Sequence, residues 1–289
     1  MEVFDIFLLE AVLNGVLLGG LLALLSLGLN LVFGVIDVVL ICYAELIMIG
    51  MYAVYLLHVQ LGWPVLAAMA AGVAVVAVLG ALLHQFIIRP VLAAEPINQL
   101  LVTGGVLFFL QAAATLAFGI EFRSLGVKMS PVSIGEMSFS LPRIIAFAVA
   151  VGGVAATYLF LTRTYVGTAI RAISQDRQIM PLMGVDTKRI YLITSALGGA
   201  LAGLAACLLV LQYDVHPFVG LSFGPITFLI CVLGGLGNFV GGFIAAFVFA
   251  EIISLGGLFS DLEWGYVLAF AFFIVMMFIR PAGLFARRS

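Results

Sequence analysis

Apolar runs of about 20 residues, the length that crosses bilayer hydrocarbon as a helix, recur along this whole sequence and limit its fold more than any other feature. They cover about 11–34, 38–57, 64–88, 98–118, 143–161 and 190–212, a shorter stretch at 223–236, then 238–255 and 265–280. In lipid, backbone N–H and C=O groups find no water, so each run has to close its hydrogen bonds on itself as helix, and strands are not expected. At 65% hydrophobic and 9% charged, the chain lies far from the roughly 45–50% apolar and 25% charged composition of a soluble domain. The expectation is an all-α polytopic integral membrane protein of about eight to nine spans, including a short or re-entrant helix, with residues 1–289 forming a single transmembrane domain.

Several function classes fall away on composition and motif. A net charge of −2 gives no reason to expect nucleic acid as a partner. Cys42, Cys207 and Cys231 all lie in apolar runs, an odd number without metal-ligand spacing, and read as packing residues. His58, His84 and His216 are dispersed near run ends and lack the i, i+4 pairing that zinc sites use, so no metal is expected. Gly220-Leu-Ser222-Phe-Gly224, with His216 close by, matches the G-x-S-x-G pattern. That pattern carries weight only on a strand-to-helix elbow, whereas here it precedes a membrane helix. No G-x-x-x-x-G-K-[ST] occurs, so any ATP-driven work needs a separate subunit to bind and hydrolyse ATP. The N-terminus is acidic where a signal peptide is basic, and is expected to lead directly into the first span.

Charge is concentrated in one place. The stretch from Thr162 to Tyr191 holds five of the twelve Lys and Arg residues: Arg163, Arg171, Arg177, Lys188 and Arg189. Threading the helices from an outside N-terminus puts these with Arg89, Arg280, Arg287 and Arg288 on one side, nine in all, and leaves Arg123, Lys128 and Arg143 on the other. Short cytoplasmic loops accumulate Lys and Arg, so the expected orientation is N-terminus outside and C-terminus cytoplasmic. Within the basic stretch, the pattern from Tyr165 predicts a short amphipathic helix; Ser174-Gln175-Asp176 offers a stop and a new N-cap for a second helix over RQIMPLMG, with Gly184 as its C-terminal cap. Two readings fit this pattern: a compact knob gripped by a soluble partner, or amphipathic helices resting on lipid.

Polar groups inside apolar runs are the candidate functional residues, because an ionisable side chain in hydrocarbon costs at least a few kcal/mol. Asp37, Glu45 and Glu251 are the acids within or at the edge of such runs, accompanied by Asn14, Asn30, Gln99, Thr103 and Gln111, and for Asp37 and Glu251 a place at a membrane surface fits equally well. Glu45 has apolar neighbours on both sides and Tyr43 two residues before it. Small residues at four-residue spacing, as in Gly15/Gly19, Gly199/Gly203 and Gly237/Gly241, predict close helix packing within the bundle. The glycine-rich run GPITFLICVLGGLGNFVGG predicts either a half-helix or re-entrant hairpin lining a pore, or a tight turn between two short spans.

The run GTAIRAISQDRQIMPLMGVDTKRIYLITSALGGALAGLAACLL resembles the cytoplasmic coupling segment and following helix of the branched-chain amino acid permease family of ABC importers. The likeness extends to NGVLLGGLLALLSLGLNLVFGV, ELIMIGMYAVYLL, TLAFGIEFRS and GLSFGPITFLICVLGGLGNFVGGFIAAFVFAE, nearly the full length. Size and the glutamate-containing second segment are most similar to the shorter of the two paralogous permeases in this family.

The resemblance implies a permease subunit with a paralogous permease as partner, two cytoplasmic ABC ATPases that bind the ATP, an external solute-binding protein, and no cofactor in this chain. It implies a bacterial or archaeal inner (plasma) membrane. It places Arg171, Ala172, Gln175, Asp176 and Gly184 in the coupling segment 162–190 that docks into an ATPase. Residues expected to line a solute route are Asn30, Tyr43, Glu45, Gln99 and Thr103. Two departures stand out. Pro181 replaces a small residue and is expected to kink the second short helix. Where the family has asparagine and then histidine-glycine before its acid, this sequence has Leu40, Tyr43 and Ala44, keeping only Glu45. The resemblance therefore implies a small polar organic solute: a branched-chain or related amino acid, an amide, urea or a small organic acid. An ion- or proton-coupled secondary transporter using Glu45 or Glu251 is the rival expectation.

Overall fold

A computed structural model describes residues 2–127, 131–134, 137–177, 179–259, 262–281 and 283–285. Of the charges used above for orientation, Lys128, Arg287 and Arg288 lie outside these. The chain forms α1 (Glu2–Ile36), then α2 (Tyr43–Tyr55), which a π turn over Leu56–Gln60 prolongs. Next come α3 (Val65–Leu83), a π turn over His84–Ile88 and the single turn α4 (Arg89–Val91), one continuous apolar rod. α5 (Pro96–Phe118) and α6 (Leu141–Arg163) are followed by α7 (Tyr165–Gln175), a 3-10 turn at Met180–Met183 and α8 (Thr187–Leu209). α9 (Val219–Gly234), α10 (Phe239–Phe259) and α11 (Leu262–Ile279) complete the bundle.

Among the described residues, seven helices are long and apolar enough to cross a membrane, while α9 and the described part of α11 are shorter. The chain is thus a multi-pass, helical membrane protein. One expectation is corrected: β1 (Val132–Ile134) and β2 (Met137–Phe139) form an antiparallel hairpin, pairing Val132 with Phe139 and Ile134 with Met137. It lies in the α5–α6 connection, outside the apolar runs, where water satisfies the free edges that lipid would not.

α1 is the central rod. Every residue from Gly19 to Val32 is buried, as expected of a helix apolar on all sides, and α6, α8, α9 and α10 pack around it. The peripheral helices keep large side chains outward, among them Leu66, Phe108 and Leu116, the last 89% exposed. Such surfaces suit hydrocarbon and not water.

The four-residue glycine pairs bring helices together inside the chain. Gly15 and Gly19 face Glu251 and Phe247 of α10, and Gly199 and Gly203 face α3. A methyl group on Gly199 would sit 2.5 Å from the carbonyl oxygen of Val76, and one on Gly80 would sit 2.6 Å from that of Ser195. The α3–α8 seam is therefore backbone against backbone, a contact available only to residues without Cβ. Cys42, Cys207 and Cys231 are buried free thiols; two of them donate to carbonyls of neighbouring helices, Cys207 to Met69 and Cys231 to Ser26.

Gly199→Ala is expected to destabilise the chain by about 1–3 kcal/mol, the usual cost of forcing volume into a packed interface, read as a lowered Tm in detergent. Gly152→Ala, where nothing lies within 4 Å of the added methyl, is expected to leave Tm unchanged or slightly raised, because alanine is the better helix former.

Candidate functional site

The bundle is interrupted between α1 and α2. α1 stops at Asp37, the residue other than glycine with positive φ among those described, at 63°. Val38, Val39 and Leu40 leave helical geometry, and a turn at Ile41–Cys42 starts α2. Val38, Leu40 and Cys42 are nonetheless buried. Irregular backbone inside an apolar bundle needs other partners. Thr103 of α5 supplies one, donating its hydroxyl to the Val39 carbonyl at 3.0 Å, while Tyr43 N–H donates to Leu40 and Glu45 N–H to Cys42.

Glu45, in the first turn of α2, is 0% exposed, and neither carboxylate oxygen has a hydrogen-bond partner within the protein. Its side chain lies against Gly220 in the first turn of α9, so close that a methyl there would sit 2.7 Å from Oε1. Two helix N-termini, those of α2 and α9, thus converge on one carboxylate, and their partial positive charge favours an anion there. That field offsets only part of the cost of an unpartnered buried acid. Both of its oxygens thus remain open to a donor. Tyr43, two residues earlier, points between α1 and α8 against Gly28 and Leu201. Its hydroxyl is unpartnered, as is that of Ser195, and both line a cavity of about 10 Å³, about the space of one water.

The first turn of α9 has a second surface. Val219, Leu221, Ser222 and Phe223 line a cavity of about 530 Å³ completed by aromatic rings that include Tyr213 and Tyr266. Gly220 lies between lining residues and touches Glu45, so a single helical turn separates the cavity from the buried carboxylate. Pro225 inside α9 removes one of the hydrogen bonds that would tie this turn to the rest of the helix. His216 packs against Phe122 with the rings tilted, 4.6 Å between centroids; burial lowers its pKa, outweighing the opposite pull of Asp214. Tyr213, His216 and Tyr266 were missed as a group by sequence reasoning, since Tyr266 comes from α11, far in sequence from the loop that carries the other two. Ser222 lies within the helix α9 and not on a strand-to-helix elbow.

The expected route residues divide by placement. Tyr43, Glu45 and Thr103 gather around the Asp37–Cys42 break. Gln99 donates to the carbonyls of Leu92 and Ala94, holding the turn before α5. Asn30 clamps the glycine-rich turn between α9 and α10: its Oδ1 accepts from Gly237 N–H at 2.6 Å and its Nδ2 donates to the Asn238 carbonyl at 3.1 Å. That turn joins two antiparallel helices at the Gly234–Gly242 approach. Glu251 is partly buried against Gly15, with Oε2 unpartnered.

The basic segment is a folded corner. Thr164 caps α7, accepting from Gly167 N–H at 3.0 Å, and Ile170 and Ile173 are fully buried. Arg171 and Ala172 lie at the margin of this buried face, while Gln175 and Asp176 are exposed. The expected second helix is corrected to the four-residue 3-10 turn, which Gly184 ends at φ 81°. Pro181 stands in the first turn of that element, where a missing N–H costs nothing, so the predicted kink does not arise. Ile179, Leu182 and Met183 are exposed, Leu182 by 84%. This apolar tip was invisible to a charge-based reading, though MPLM was its signal.

Membership follows from comparison with known proteins. Residues 11–277 match the family described as "Branched-chain amino acid transport system / permease component", and the chain belongs to that family. It is 28% identical to the high-affinity branched-chain amino acid transport system permease protein LivH of Escherichia coli K12, covering 98% of this chain and 96% of LivH. Identity to the corresponding permease BraD of Pseudomonas aeruginosa is also 28%, over 96% of both chains. The fold is similar to that of a chain in the structure of PsaBC from Streptococcus pneumoniae in complex with Fab, with a TM-score of 0.53, 13% identity, and 93% and 91% of the two chains covered. The protein is a transport permease and not an enzyme.

Asn30→Leu strips partners from Gly237 N–H and the Asn238 carbonyl. It is expected to cost about 1–3 kcal/mol, the range for orphaned buried polar groups, measured as lost thermal stability of the purified chain.

Proposed function

We propose that this chain is the permease subunit of an ATP-driven ABC importer, working by alternating access beside a paralogous permease, two cytoplasmic ABC ATPases and an external solute-binding protein. The observation that carries the reading is the family match over residues 11–277. The N-terminus is outside and the C-terminus cytoplasmic in an inner (plasma) membrane, a reading supported by the nine-to-three division of Lys and Arg. Segment 162–190 is the surface that meets the ATPases; Arg171, Ala172, Gln175, Asp176 and Gly184 belong to it, and the apolar tip at Leu182 and Met183 extends it.

The solute is small and polar: a branched-chain or related amino acid, an amide, urea or a small organic acid. Its route passes the first turn of α9. In one state that turn shields Glu45 from the 530 Å³ cavity; in the other, Glu45 and Tyr43 meet a hydrogen-bond donor on the solute. Thr103 holds the broken segment in place, while Asn30 and Gln99 keep the turns that frame it.

Glu45→Ala is expected to lower uptake at least about tenfold, the loss of one strong buried hydrogen bond to a charged group, with co-purification of the ATPases retained. Uptake at the wild-type rate would remove Glu45 from the route. The two unpartnered carboxylates, Glu45 and Glu251, favour one rival, an ion-coupled carrier. Solute accumulation by the chain alone in ATP-free vesicles would establish that rival, and a stable complex with a P-loop ATPase would exclude it.

A further inference from the structure

We infer that the Arg177–Asp37 ion pair is the link through which movement of the basic segment reaches the broken stretch that carries Tyr43 and Glu45. The inference rests on reading segment 162–190 as the part that meets an ATPase. Arg177 Nη1 lies 2.9 Å from Asp37 Oδ2 and donates to the Ile36 carbonyl at 3.5 Å. Arg189, by contrast, pairs inside the segment, with Asp186. Arg177 therefore reaches out of the basic segment and holds the residue that ends α1.

The residue it holds is the pivot of the break. Asp37 has a left-handed backbone, φ 63°, which a short polar side chain tolerates better than a bulky one. Beyond it, Val38–Leu40 have no helical hydrogen bonds and are fastened sideways by Thr103, before α2 begins and presents Glu45. A few residues between two rigid helices, free of both ladders, are what absorbs dihedral change in a hinge. α7 is meanwhile anchored through Ile170 and Ile173, so displacement of the outer part of the segment has Arg177 as its contact with the break.

Energetics point to position and not to stability. The two side chains are 33% and 59% exposed, and ion pairs this open contribute little to folding. Removing the pair should leave a folded, assembled complex whose ATP hydrolysis drives less solute. Asp37 and Arg177 act through the break and are positioning residues.

The test uses the complete complex in proteoliposomes, with uptake, ATP hydrolysis and ATPase retention measured together on Asp37→Asn, Arg177→Met and the double variant. Asparagine suits the left-handed backbone, so the change removes charge without adding strain. Each single variant is expected to lower uptake about tenfold, a typical coupling magnitude. The double variant should lose about the same tenfold, because the two residues act as one unit. ATP hydrolysis should stay within about twofold of wild type, and Arg177→Lys, which keeps the charge, should keep uptake within about threefold. Wild-type uptake in the single variants, a double loss equal to the product of the single losses, or hydrolysis and ATPase retention falling in step with uptake would each overturn the inference. Failure of the wild-type chain to retain an ATPase would instead overturn the reading of segment 162–190.

Discussion

A peptide group carried into hydrocarbon without a hydrogen-bond partner costs several kcal/mol, and that cost organises this protein from α1 outward. Where the backbone is helical the requirement is met within each element, and the helices can be drawn together by shape alone. Glycine is the means: at Gly80 and Gly199 the α3–α8 seam closes to backbone contact, and Gly15 and Gly19 receive α10. Because α1 is enclosed on all sides, anything that breaks its end is felt by several neighbours.

At two of the places where the chain departs from regular helix, both beside α1, a polar side chain makes up the missing bonds. Thr103 serves the Asp37–Cys42 break, and Asn30 serves the turn between α9 and α10. The same two departures create the functional geometry. The break sets Glu45 at the start of a helix, and α9, starting at Val219, lays Gly220 across it. A buried carboxylate left without a donor is expensive, and Glu45 shares that condition with the buried hydroxyls of Tyr43 and Ser195.

Much of this was legible in the sequence. Most of the apolar helical stretches, the amphipathic helix after Tyr165, the packing role of the glycine pairs and the isolation of Glu45 follow from local chemistry, that is from hydropathy, capping and side-chain size, whereas the run expected as helix from residue 38 is irregular until Tyr43. Thr103 and Asn30 were legible as polar residues out of place, yet whether each faces a route or clamps a turn depends on which distant backbone comes near. Local pattern also misjudged the stretch around Pro181. A 3-10 turn accommodates the proline at its start, where helix periodicity alone pointed to a kink.

The sequence by itself determined that the chain is a multi-pass helical bundle with one acid, Glu45, set deep among apolar residues, because the energy of placing each residue type in hydrocarbon depends on that residue and its helix. Only the tertiary structure decided what surrounds that acid. Gly220 against Glu45 and Arg177 against Asp37 pair residues well over a hundred positions apart. Their meeting is set by how whole helices pack around α1, an energy that belongs to the assembled bundle and to no single segment.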